Sequence, residues 1–370
     1  MVLRDIQQLL ETWAPRELAW ERDNVGIQIG SAHRRIRKIL IALEVTDRVI
    51  DEAIEKQIDL IVTHHPLIYH PLKSVTDHDR TGRLATALIK HDIALYVAHT
   101  NLDFAHDGVS HALARRLGLT EVTTLNEGSA RMKKIAVFIP PESVDRVVTA
   151  MSDAGAGSIG KYDMCSFRTE GVGTFRPKRG AQPAVGRMGH VETTNEVRVE
   201  MIAPSWKLGT IVDAMRRVHP YEEVAYDVYD LTNAMPGIGA GSIGNLKASL
   251  PVTKFLAHVR EQLGIPCLRY SPGRQRRIAR VAVCGGSGSD LMVEAIRRGA
   301  DAFVTSDVNY HAFQDSDNRL TLIDAGHFET EHPVVRRIVS YLRTEIDATD
   351  QRVSILAFSR STNFVRYSLS

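Results

Sequence analysis

The chain has 370 residues, 44% of them hydrophobic and 24% charged, and its formal net charge is +2. That length is long for one core and predicts two domains, while the near-neutral charge gives no bulk field for nucleic acid or an anionic membrane surface. Three cysteines, Cys165, Cys267 and Cys284, with no CxxC spacing, make a disulfide framework unexpected, and no apolar stretch approaches the ~20 residues that span a bilayer.

Met1–Ile6 reads as the start of an amphipathic helix and lacks the basic, apolar and small-residue succession of a signal peptide. A cytoplasmic protein is expected. Two short basic clusters, Arg34–Lys38 and Arg274–Arg277, each precede a strand-like run and read as solvated strand entrances. Ile39–Val45 is predicted as a strand, and Asp47 as the cap of a helix running through Ala53–Lys56. Leu60-Ile61-Val62-Thr63 is a short, uncharged, β-branched run that reads as a buried strand. It ends at His64-His65-Pro66, where Pro66 cannot donate to a sheet. Adjacent strand residues point to opposite faces, so this histidine pair suggests a site with two metals. A helix over Gly82–His91 and a strand over Ile93–His99 follow. Repeated β-α-β units imply a parallel sheet covered by helices.

The middle of the chain changes pattern. Strand Lys134–Pro140, helix Glu142–Ala154, strands near Met164–Glu170 and Val197–Met201, helix Ser205–Val218 and strand Ala225–Tyr229 describe a ferredoxin-like sandwich. Its flanks, Asn126–Arg131 and Asn233–Gly244, are rich in Gly, Ser and Asn and read as linkers. The β/α pattern then returns. Strand Arg280–Cys284 runs into Gly285-Gly286-Ser287-Gly288-Ser289, and helix Leu291–Arg298 follows. Strands Ala302–Ser306 and Leu320–Asp324 come next, then a helix beginning near Thr330 or Glu331, with Pro333 suited to a first turn. The expected class is therefore α/β: a domain built from residues 1–128 and 236–370, with an α+β domain, 129–235, inserted into it.

In open α/β sheets ligands bind at the carboxyl ends of the strands. Four such ends carry His64 and His65; His99 to Asp103; Ser306, Asp307 and then His311; and Gly326 to Glu331. One His or Asp in a loop is ordinary, but four clusters on one sheet edge suggest metal ligation by imidazole and carboxylate. Asp307 and His311 are candidate general acid/base groups or partners of the ligands. His99 is open between ligand, partner of a ligand and core histidine. Glu44 and Thr46 end a neighbouring strand and are lesser candidates. The glycine-rich turn at 285–289 is either a tight turn or an anion site; no Gly-Lys-Ser/Thr follows, so it is not a P-loop.

Trp20-Glu21-Arg22-Asp23-Asn24-Val25-Gly26, Thr63-His64-His65-Pro66, His99-Thr100-Asn101-Leu102-Asp103 and Gly326-His327-Phe328-Glu329-Thr330-Glu331 together resemble the motifs of the Nif-three-like family, whose members are often labelled GTP cyclohydrolase type 2 homologues. The middle segment, with His219-Pro220-Tyr221-Glu222-Glu223, resembles the PII/CutA-like insert of the longer members. The resemblance implies a dinuclear metal centre with ligands His64, His65, Asp103, His327 and Glu331, the last as a bridge, and a toroidal homohexamer. Two departures are visible: Leu43-Glu44-Val45-Thr46 stands where the family has Leu-Asp-x-Thr, and Thr305-Ser306-Asp307 where it has Thr-Gly-Asp.

These readings lead to two expectations. The first is a hydrolase holding two divalent cations per subunit (zinc, iron or manganese) and acting on an anionic small molecule such as a nucleotide or another phosphorylated compound. The alternative is a non-enzymatic metal-handling or regulatory protein. Neither a membrane nor nucleic acid is expected as a partner.

Overall fold

The computed structural model describes residues 1–127, 131–180, 187–348 and 352–368. The chain separates into two compact units, Met1–Gly128 with Gly237–Ser370, and Ser129–Pro236.

The first unit opens with α1 (Leu3–Trp13), whose Leu3, Ile6 and Leu10 recur at helical spacing and are buried. There follow β1 (Gly26–Ile29), β2 (Lys38–Ala42), α2 (Asp47–Glu55), β3 (Leu60–Thr63), α3 (Arg80–Lys90), β4 (Ala94–Val97), α4 (Thr100–Phe104), α5 (Val109–Arg116) and β5 (Thr120–Glu127). The second unit contains β6 (Arg131–Ile139), α6 (Val144–Asp153), β7 (Phe167–Phe175), β8 (Glu192–Pro204), α7 (Leu208–Val218) and β9 (Tyr226–Ala234). The first unit then resumes with β10 (Gly239–Pro251), α8 (Val252–Leu263), β11 (Arg269–Ser271), β12 (Arg277–Ser287), α9 (Met292–Arg297), β13 (Ala302–Ser306), α10 (Tyr310–Ser316), β14 (Thr321–Asp324), α11 (His327–Glu331), α12 (Pro333–Asp347) and β15 (Ser354–Ala357).

One expectation is corrected here. The strand ends do not share one sheet: the first unit holds two. One has the order β1-β4-β3-β2-β15, the other β11-β14-β13-β12-β10-β5. In the first, β4, β3, β2 and β15 run parallel. In the second, β12, β13 and β14 do. Both faces of the first sheet are covered, as parallel strands require. Ile39, Ile41 and Val62 pack with α1 and α12 on one side, and Leu40, Ile61 and Leu95 pack with α2 and α3 on the other. Helix α5 serves both sheets: Val109 lies in the first core and Leu113 and Ala114 in the core of the second.

Two local readings are also corrected. Thr46, not Asp47, caps α2: its backbone is extended and its hydroxyl accepts from the Val49 amide at 3.3 Å. Asp47 sits in the first turn and pairs with Arg83. The boundaries between the two units fall within the Gly- and Ser-rich flanks, but most of the second flank is strand, and residues 128–130 of the first lie outside the described residues. Residues from Gly239 onward form β10, which pairs with β5 from Gly239↔Glu127 to Asn245↔Thr120. Backbone hydrogen bonds overrode the composition there.

In the second unit the strands form an antiparallel sheet of order β7-β8-β6-β9. Helices α6 and α7 pack with it around Ile135, Val137, Val147, Met151, Val199, Ile211 and Met215. Among the described residues no helix is long and apolar enough to cross a membrane.

Candidate metal centre

The parallel strands of the two sheets deliver their C-terminal ends to one place. Strand β3 ends in Thr63, and the next two residues are His64 and His65. The backbone amides of both bond to the carbonyl of Leu43, just past β2, at 3.1 and 2.8 Å. His99 follows β4 as the cap residue of α4, which carries Asp103 one turn later. From the other sheet, Asp307 follows β13 directly, and α11 after β14 carries His327 and Glu331 four residues apart, hence on one face.

Glu331 is the centre of the cluster. It is 5% exposed. Its Oε2 lies 2.7 Å from His65 Nε2 and 3.1 Å from His327 Nε2. Its Oε1 lies 3.8 Å from His64 Nε2, which is also 3.6 Å from Asp103 Oδ1. The two oxygens therefore face different donors. Burial works against this carboxylate's charge, but three imidazoles hold its pKa well below the ordinary value. Asp103 goes the other way: burial raises its pKa, and Glu331 adds to the rise.

Each imidazole is held from behind. His64 Nδ1 meets the carbonyl of Ala98 at 2.8 Å, so Nδ1 donates and Nε2 is the nitrogen turned toward the site. That Nε2 is buried without a hydrogen-bond partner. A buried polar atom left so costs about 1–3 kcal/mol. His65 Nδ1 meets Glu44 Oε2 at 3.0 Å. His327 Nδ1 meets Asp307 Oδ2 at 2.5 Å. His99 Nδ1 meets both Asp23 oxygens at 3.0 Å. Carboxylates or carbonyls behind imidazoles are the usual support of metal-ligating histidines. The Asp23 side chain is buried and its pKa lies well below the usual carboxylate range; burial opposes this, but bonds from His99 and Thr100 prevail.

Gly286 explains why a glycine stands beside this site. Its φ is +67°, and a Cβ there would lie 2.2 Å from Glu331 Oε1. The parallel pairing of β12 with β13 shifts register between Val283 and Ser287, as at a bulge. The Gly286 amide bonds to Thr330 Oγ1 at 3.0 Å and its carbonyl accepts from Thr305 Oγ1 at 2.9 Å. Of the two readings of this turn, close packing against Glu331 accounts for Gly286, and its amide is not free for an anion.

The ligand atoms of His64, His65 and His99 lie within 4.8 Å of one another, as do those of His65, His327 and Glu331, so these groups can bind a metal ion. The unpartnered His64 Nε2 and the imidazole–carboxylate donor set fit a divalent cation. Asp103 is near His64 but belongs to neither group of three. His99 belongs to one. Asp307 stands behind His327. His311 is exposed on α10, with a ring contact to Tyr310. Sequence reasoning missed Asp23 as a partner of His99, and it left Glu44 as a minor candidate. Both are carboxylates far in sequence from the rings they hold, so no local spacing links them.

Comparison with known proteins gives concordant findings. The family model Duf34/NIF3 (NGG1p interacting factor 3) matches residues 1–363. The chain is 41% identical to the GTP cyclohydrolase 1 type 2 homolog of Halalkalibacterium halodurans over 86% of this chain and 87% of that one. It is 40% identical to the protein of the same name from Bacillus subtilis over 88% of each. The crystal structure of a Bacillus cereus protein related to NIF3 superposes with a TM-score of 0.86 at 38% identity, covering 100% of this chain and 99% of that one.

Proposed function

The chain belongs to the NIF3 (NGG1p interacting factor 3) family, and from that premise we propose that it holds two divalent cations and hydrolyses a nucleotide or a related phosphorylated small molecule. One observation carries the reading: the two oxygens of Glu331 face separate donors, His64 on one side and His65 with His327 on the other. Asp103 joins the His64 side, which makes His64, His65, Asp103, His327 and Glu331 the ligand set with Glu331 as the bridge. Zinc, iron and manganese all suit such donors. When bound, the cations supply Lewis-acid polarisation of a substrate oxygen and lower the pKa of water at the site.

The chain's own groups do the positioning. Ala98, Glu44 and Asp307 hold the Nδ1 protons of His64, His65 and His327, so that each Nε2 points inward. Asp307 is thereby assigned to orient His327. His311 carries no step in this reading. The second unit is proposed to be a ferredoxin-like, PII/CutA-like insert of residues 129–235 between parts 1–128 and 236–370. Its β-α-β-β-α-β order and its sheet order support that. The toroidal homohexamer implied by the family motifs is carried forward as the proposed assembly.

A screen of the metal-reconstituted protein against nucleotides and phosphate esters tests the activity. Turnover that disappears in Glu331→Ala, with the fold retained, supports the hydrolase. Inactivity across the screen, together with rapid transfer of metal to an acceptor, supports a metal handler instead.

A further inference from the structure

His65 and His327 also line a cleft of about 270 Å³ whose lining includes Asn363, Phe364 and Val365 from the segment after β15. That segment is tied down: Asn363 Nδ2 donates to Glu329 Oε1 at 2.9 Å, and Thr362 is buried. Yet the next two side chains, Phe364 and Val365, are 68% and 55% exposed where they line the cleft. The guanidinium of Arg80 lies 5.2 Å from the centre of the Phe364 ring. One of its N–H groups donates to the carbonyl of Val45 at 2.6 Å. Among the described residues no carboxylate forms a close ion pair with Arg80, although its charge helps to lower the pKa of Asp47. Glu44, on the same lining, has a buried Oε1 with no hydrogen-bond partner.

An anchored segment that leaves an exposed aromatic ring with a guanidinium over one face is suited to a ligand that stacks a flat ring on the remaining face and brings an anionic group to the guanidinium. A ring gains from stacking on Phe364. A phosphate gains charge-assisted hydrogen bonds from Arg80. The cleft is slightly smaller than the ~300–1,000 Å³ of typical small-molecule sites, which suits one ring and one phosphate and leaves a longer polyphosphate tail outside. We propose that this cleft is the recognition subsite of the metal centre, with Phe364 and Arg80 selecting a phosphorylated compound with a planar ring, of the size of a nucleoside monophosphate. The inference rests on the hydrolase reading above for its location, and it adds the residues that recognise the substrate and narrows that substrate to one planar ring with one phosphate.

The test is calorimetric titration of the reconstituted protein, with the metal content of each sample measured in parallel. The probes are adenosine and guanosine 5′-monophosphate, the two parent nucleosides, and ribose 5-phosphate. Phe364→Ala weakens the monophosphates about tenfold or more, as loss of one stacked base predicts, and leaves ribose 5-phosphate within about twofold; Phe364→Trp retains binding. Arg80→Met weakens the monophosphates and ribose 5-phosphate by about tenfold or more and spares the nucleosides. Full metal content with no binding of either monophosphate, or with affinities that neither variant changes, overturns the subsite. A wild-type protein that takes up no metal overturns the hydrolase reading on which the subsite rests.

Discussion

Glu44 is a carboxylate outside the proposed ligand set that holds one of its histidines from behind. Its Oε2 holds the Nδ1 proton of His65, and His65 Nε2 reaches Glu331. Glu44→Gln keeps the shape and removes the charge. It is expected to lower metal affinity about 10–100-fold with little change in unfolding temperature, as loss of such a supporting bond does elsewhere; chelator competition measures it. The same residues set a pH dependence. Burial pulls His65 down, but Glu331 and Glu44 together push it up to about 10. His327 is pushed up to about 9, chiefly by Glu331, with Asp307 adding to it. With no cation bound these shifts favour the imidazolium form of both rings at neutral pH, so a cation competes with protons for them. Metal affinity should rise with pH from roughly 6 to 9, with protons released on binding. Equal affinities across that range, measured by zinc titration, would contradict this. The histidine pair itself was legible in the sequence because it ended a short apolar strand. Asp23 was not legible in its role, since it meets a ring 76 residues away.

At the scale of elements, the cap of α2 gives a direct comparison. Thr46→Ala should cost about 1 kcal/mol of stability, the usual effect of losing an N-cap. Asp47→Ala should cost less than about 0.5 kcal/mol, since its pairing with Arg83 is exposed. Denaturant unfolding of the two variants distinguishes the two residues. The parallel strands were readable because β2, β3, β4 and β13 are short, apolar and nearly wholly buried. Strands β5 and β10 were not. The sequence of β5 is polar and that of β10 is Gly- and Ser-rich, and they are strands through pairing with each other and, for β10, with β12. The division of the first unit into two sheets was hidden for a related reason. Which strands neighbour one another depends on contacts between segments far apart in sequence, such as β15 beside β2. Local periodicity carries no information about such contacts.

For the molecule as a whole, the two sheets matter because the centre needs both. His64, His65 and Asp103 come from the first sheet, and His327 and Glu331 from the second. The Glu331 carboxylate on α11 thus meets side chains more than 200 residues away in the chain, and the intervening second unit adds no His/Cys/Asp/Glu group of three suited to a metal among the described residues. The proposed assembly is checked by light scattering, where a homohexamer has about six times the 41.1 kDa chain mass and a monomeric reading would overturn it. The central claim is the pair of cations around Glu331. The most direct measurement is the metal-to-chain ratio, by elemental analysis, of the protein reconstituted with zinc, manganese or iron and then desalted. The account predicts a ratio close to two for the wild type and a clear fall in a folded Glu331→Ala variant. A wild type that stays metal-free with all three ions, or a ratio that Glu331→Ala leaves unchanged, would contradict it.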